Sequence, residues 1–99
     1  MAVYRVASFE IDPERRAEAL LATQEVIQYN HEHMHGTHEL LTRLDGEILN
    51  KIFLVSRYAS LAEFEDSVRQ RAEDTHFPEV IERFKATVNW SSREDHFYQ

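Results

Sequence analysis

From Val3 to Ile11 the side chains alternate. Val3, Ala7, Phe9 and Ile11 share one side with Arg5, while Tyr4 and Val6 share the other with Ser8 and Glu10. A period of two predicts a strand. The pattern stops at Asp12-Pro13, which reads as a helix start, with Asp12 as N-cap, Pro13 at the first helical position and Glu14 in the positive first turn. The spacing then predicts a helix to about His35. Its apolar stripe is Ala17, Leu20, Leu21, Ile27 and Met34, with Gln24 and His31 on the same side. Gly36 is the natural stop, because it accepts the left-handed conformation after a last helical turn. Thr37 to Asp45 reads as a weaker strand, with Leu40 and Leu44 alternating against Leu41 and Arg43, and Asp45-Gly46 signals a tight hairpin.

The stretch from Glu47 to Tyr58 is the most informative. Ile48, Ile52, Leu54 and Tyr58 occupy one side, and Leu49, Phe53 and Val55 occupy the other. A strand that is apolar on both sides needs a cover on each. Ser60-Leu61-Ala62-Glu63 follows as a capping box that starts a helix with Leu61, Phe64 and Val68 inward. The helix weakens near Asp74, Phe77-Pro78 breaks it, and Pro78 to about Ala86 forms a second piece around Val80, Ile81 and Phe84. Thr87 to His96 is a final polar strand around Val88 and Trp90, and Phe97-Tyr98-Gln99 is an aromatic tail.

The order is β-α-β-β-α-β. This predicts an α+β, ferredoxin-like domain over residues 1–99: a four-stranded antiparallel sheet with the helices on one face. Those helices cover one side of the Glu47–Tyr58 strand. Its other side calls for a second copy of the chain, stacked sheet to sheet as a homodimer. The alternative is a monomer whose sheet curls around a small cavity.

The Asp45-Gly46 hairpin, the two-sided strand and the run Tyr58-Ala59-Ser60-Leu61-Ala62-Glu63-Phe64-Glu65 resemble the dimeric α/β-barrel superfamily over the whole chain. The similarity is to its NIPSNAP-like and antibiotic biosynthesis monooxygenase-like groups. The resemblance implies a homodimer binding a hydrophobic or aromatic metabolite, either as a cofactor-independent monooxygenase, isomerase or cyclase, or as a non-catalytic ligand-binding or accessory protein. The Asn, Trp and His arrangement of the haem-degrading members does not map onto this chain, and no cofactor is implied.

Charge and composition narrow the partners. Eighteen Asp and Glu against eleven Lys and Arg give a net charge of −7, which disfavours nucleic acid and anionic membrane surfaces. There is no cysteine, so thiolate chemistry is excluded. Met1 to Arg5 runs directly into the alternating pattern, and no run approaches the roughly 18 apolar residues of a membrane span. The expectation is a cytoplasmic protein. Two glycines leave no glycine-rich phosphate loop, and there is no G-x-S-x-G elbow.

Candidate chemistry centres on histidine. His31-Glu32-His33-Met34-His35 satisfies H-E-x-x-H, which on a helix places two zinc ligands one turn apart. Four of six histidines fall between 31 and 38, Gly36 directly follows the second ligand, and nothing supplies a third, so no metal is assigned. His35, His38 and His76 are the candidate general acids or bases, since imidazole titrates near neutrality. The alternative is a solvated cluster at the helix end. Tyr4, Tyr58 and Trp90 are candidate ligand-lining aromatics, with core or dimer packing as the alternative. Among the strand cations Arg5, Arg43, Lys51 and Arg57, one or two are candidates to bind an acidic group of the ligand, with Arg43 the ligand-binding candidate; the alternative for most is surface pairing with the surplus carboxylates.

Overall fold

The computed structural model describes residues 1–42 and 51–99. The Asp45-Gly46 turn, Arg43, and the Glu47–Asn50 start of the two-sided strand lie outside them. The described elements are β1 (Val3–Glu10), a short 3-10 turn (Pro13–Arg15), α1 (Arg16–His33), β2 (Thr37–Thr42), β3 (Lys51–Tyr58), α2 (Leu61–Glu73), α3 (Phe77–Lys85) and β4 (Asn89–Tyr98). The sheet is antiparallel with strand order β2-β3-β1-β4. This is the ferredoxin-like arrangement, its second helix split in two.

The local signals form as the chemistry requires. The Asp12 carboxylate accepts from the Glu14 amide at 3.0 Å. Ser60 Oγ accepts from the Glu63 amide at 3.1 Å, capping α2. The Asp74 carboxylate accepts from the amides of His76 and Phe77, at 2.8 and 3.0 Å, where α2 gives way to α3. Gly36 has φ of +96° but does not cap α1 as expected: the helix ends at His33 with Met34 extended, and Gly36 instead turns the chain into β2.

β3 divides as its alternation requires. Ile52, Leu54, Ser56 and Tyr58 face the helices, and Phe53 and Val55 lie on the open side. Ile52 joins Ala7, Phe9, Ile11, Ala19, Val26, Val80 and Phe84 in one apolar core. The Phe9 ring meets Phe84 edge-on at 5.0 Å and stacks on Trp90 at 5.5 Å. This core fills the half of the interlayer beneath α1 and α3. Fully burying side chains of this size stabilises by roughly 1.5–3 kcal/mol each.

Three details differ from the sequence expectation. First, α1 ends at His33 rather than His35, and it buries Ala19, Thr23, Val26 and Asn30 while Leu21 is 68% exposed. Apolar residues are spread around this helix, so no single stripe dominates, and small Ala19 and Thr23 permit the closest approach. The Thr23 hydroxyl donates to the Ala19 carbonyl at 2.7 Å, which makes its burial tolerable. Second, α2 buries Ser67 and leaves Leu61 and Val68 about half exposed, because polar groups lie beneath it. Third, Phe97 and Tyr98 are no tail. They pair with Arg5 and Tyr4 at the end of β4, beyond a register shift between Ser8 and Glu10. At that shift Ser92 Oγ accepts from the Glu10 amide and donates to the Asn89 carbonyl.

Gly36 offers a direct test of the packing. A Cβ there would stand 2.8 Å from two Tyr58 ring carbons and 2.9 Å from the Arg57 carbonyl, on a backbone conformation that L residues resist. Gly36→Ala is expected to lower stability by about 1–3 kcal/mol in denaturant unfolding, whereas Ala59→Gly, a change of similar size outside the helices, should cost less.

Candidate functional site

Polar side chains occupy the other half of the interlayer. Strand register builds one row: Arg5 on β1 lies opposite Ser56 on β3, which lies opposite His38 on β2. In the next row Val3 is opposite Tyr58. Helix α2 supplies Ser67 and Arg71, one turn apart. The Tyr58 hydroxyl accepts from Arg71 Nη2 at 2.9 Å and lies 3.5 Å from Ser67 Oγ, and Arg71 also donates to Ser67 at 3.3 Å. Arg71 Nε is buried without a hydrogen-bond acceptor among the described residues. Arg5 forks onto Asp95 through two bonds of 3.1 and 2.9 Å, and Arg93 holds the other oxygen of the same carboxylate at 2.7 Å.

His38 is buried and both its ring nitrogens are occupied. Nε2 lies 3.3 Å from the His35 carbonyl, which can only accept, so Nε2 carries the proton. Nδ1 then accepts from the Ser56 hydroxyl at 2.7 Å. Burial pushes the imidazole pKa down to about 4; the His35 carbonyl opposes this, and His31, Arg71 and Arg5 reinforce it. His38 is therefore neutral around pH 7.

An apolar cleft of about 320 Å³ opens beside this polar half. It is lined by Val3, Leu61, Phe64, Phe97, Tyr98 and Gln99. Phe64 forms its inner wall. That ring meets Phe97 at 5.6 Å and Tyr58 at 5.3 Å, both edge-on. The cleft, the Phe64 wall and the Tyr58–Arg71 pair thus lie in sequence from surface to interior.

The sequence-predicted site residues do not converge on one place. His38 and Tyr58 are together, their rings 6.0 Å apart. His35 is exposed. His76 is exposed at the start of α3, where its ring pairs with Glu79 at 3.1 Å. Tyr4 lies on the open side of the sheet, where Arg57 donates to its hydroxyl at 3.3 Å. Trp90 belongs to the apolar half, with the Lys85 and Arg93 cations over its ring. Arg43 lies outside the described residues. The H-E-x-x-H geometry is not formed: α1 ends before His35, and His31 Nε2 accepts from the His38 amide at 3.0 Å. Among the described residues, no group of three His, Asp or Glu side chains is placed to hold a metal ion. Sequence reasoning missed Ser67, Arg71, Leu61 as a cleft residue, and Phe97. The aromatic pair at 97–98 was the available signal.

The model of the NIPSNAP family matches residues 4–96. The chain belongs to the NIPSNAP family. No curated protein sequence matches it. Solved structures similar to this NIPSNAP-family chain include a conserved protein from Methanosarcina mazei Go1, with a TM-score of 0.76 and 15% identity, covering 100% of this chain and 92% of that one. Another is SnoaB, a cofactor-independent oxygenase from Streptomyces nogalater, with a TM-score of 0.72, 16% identity and coverages of 99% and 91%. An antibiotic biosynthesis monooxygenase follows at a TM-score of 0.71, 12% identity and coverages of 98% and 96%. At these identities the likeness is one of fold. No helix among the described residues is long and apolar enough to cross a membrane.

The buried imidazole predicts a pH effect. Its folded-state pKa near 4 lies below the ordinary value of 6.5, so the unfolded chain binds the proton more readily between those values. The stability that neutral His38 contributes is complete above about pH 6.5 and is lost as pH falls toward 4, by at most about 3 kcal/mol. Unfolding free energies measured from pH 7 to 4 should fall less steeply in His38→Asn than in the native chain.

Proposed function

We propose that this NIPSNAP-family protein binds a small hydrophobic, aromatic-bodied metabolite in the cleft between α2 and the end of β4. The observation that carries this reading is the apolar lining of Val3, Leu61, Phe64 and Phe97, with the part-buried Tyr58–Arg71 pair behind Phe64. An apolar wall with a few fixed polar groups at its inner end is the usual build of a small-molecule site. The chemistry proposed there is cofactor-independent oxygenation, isomerisation or cyclisation. The Tyr58 oxygen accepts from Arg71 and keeps its own proton for an acceptor, so it supplies a candidate acid at the inner end. His38 holds the Ser56 hydroxyl within the same polar layer. The fold shared with a cofactor-independent oxygenase supports the catalytic version. The second reading is a non-catalytic ligand-binding or accessory protein, favoured by the full occupation of both His38 nitrogens.

We also propose that the chain works as a cytoplasmic homodimer through the open side of its sheet. Phe53 and Val55 stand half-buried there and Leu41 is 48% exposed. A second copy would remove this apolar surface from water. Sedimentation should give a dimer, and Val55→Lys should shift it toward monomer. A native chain that sediments as a monomer at all concentrations would end this proposal.

For the cleft, the neutral fluorescent probe N-phenyl-1-naphthylamine should bind with an emission increase. Leu61→Asp places an acid in the exposed first turn of α2, where the helix tolerates it, and should weaken probe binding by about fivefold or more. Unchanged binding in this variant would remove the cleft as the ligand site. Once a substrate is in hand, Tyr58→Phe separates the two readings. A loss of turnover well beyond the loss of affinity supports catalysis at Tyr58.

A further inference from the structure

The polar half of the interlayer carries an imbalance of charge. Arg5, Arg71 and Arg93 meet there, and Asp95 is the carboxylate that answers them, bonded to Arg5 and Arg93 together. Arg71 forms no ion pair among the described residues. Its Nη2 is spent on two hydroxyls, and its buried Nε has no acceptor among them. Burial most of all, with the nearby Arg5 and Arg93, disfavours its charged form, and Tyr58 opposes them. Arg71 is part-buried, and a cation that loses hydration is tolerated when a counter-charge meets it.

The position of Arg71 relative to the cleft follows from its helix. Long side chains on a helix lean toward its N-terminus, and the Arg71 guanidinium lies against Ser67, one turn back. Phe64, the inner wall of the cleft, is one turn before Ser67. Seen from the cleft, the guanidinium lies behind the Phe64 ring, and the polar end of a ligand seated against Leu61, Phe64 and Phe97 would reach it past that ring.

We propose that Arg71, together with the Tyr58 hydroxyl, binds the carboxylate of a ligand whose apolar body occupies the cleft, so that the metabolite is a hydrophobic or aromatic acid. The assignment rests on the cleft being the ligand site. The guanidinium fork suits a carboxylate, and its Nε–H is the arm left without an acceptor among the described residues. The Tyr58 hydroxyl proton supplies a second donor.

Two near-isosteric probes test this on the full chain: 2-naphthoate, which is anionic at pH 7, and 2-naphthamide, which is neutral. Titrations followed by amide chemical shifts should show naphthoate binding about tenfold or more tightly than naphthamide. Arg71→Gln should weaken naphthoate to about the level of naphthamide, so that the preference is lost. Arg71→Lys keeps the charge without the fork and should retain only part of the preference. Equal affinities in the native chain, or a full preference surviving in Arg71→Gln, would overturn the assignment while leaving the cleft in place. If Arg71→Gln does not fold, Arg71→Lys decides: a severalfold smaller preference supports the assignment and an unchanged one overturns it. Binding of neither probe would overturn the cleft and this inference with it.

Discussion

The Tyr58 phenol is the point on which the rest of the interior rests. Its side chain is fully buried at the end of β3. The ring forbids any side chain at residue 36, which fixes how the chain turns from α1 into β2. The same ring meets Phe64 and His38, joining α2 and β2 to the central strands. Its oxygen is the anchor for Arg71 and Ser67. A buried phenol needs a hydrogen-bond partner, and here α2 provides it. That polar demand explains why α2 presents Ser67 to the sheet and leaves Leu61 and Val68 half exposed. Leu61 is thereby free to line the cleft.

The interlayer is consequently two materials side by side. Under α1 and α3 it is an ordinary apolar core centred on Phe9, Ile52 and Phe84. Under α2 it is a polar layer of Arg5, His38, Ser56, Tyr58, Ser67 and Arg71. Hydrophobic burial stabilises the first directly, while the second contributes little net stability at best, since buried charges lose hydration that partners only partly restore. Under the ligand-binding reading proposed above, this layer beside the apolar cleft serves recognition, and in a domain of this size the apolar half must carry its cost.

Much of the fold was legible because its signals are local. Asp12-Pro13, Gly36 and Ser60–Glu63 act within a few residues of themselves, and each forms the cap or turn that its chemistry dictates. The two-sided strand was legible because alternation is a property of the chain alone. The NIPSNAP-like resemblance also rested on a contiguous run, residues 58–65, and the family match covers it. The illegible parts depend on partners distant in sequence. Which face of α1 is buried depends on where small residues allow contact, and its apolar residues do not choose. Ser67 looks like a surface residue until Tyr58 lies beneath it. Phe97 looks like a tail until Arg5 pairs with it. The candidate histidines failed to converge for the same reason. Their clustering is one of sequence, and the end of α1 sends His35 outward while β2 sends His38 inward.

β3 ties the two apolar surfaces of the molecule together. Its even-numbered residues, Ile52, Leu54, Ser56 and Tyr58, build the core and the polar layer behind the cleft. Its odd-numbered residues, Phe53, Val55 and Arg57, form the open side of the sheet. A slip of one residue in its pairing with β1 or β2 would exchange the two sets completely. It would bury Arg57 and bring Tyr58 out to solvent, losing both the Gly36 contact and the Arg71 bond. The strand therefore has one tolerable register, set by the polar groups at its end as much as by the apolar residues in its middle. Whatever covers the open side must accept that register, because the interior has already fixed it.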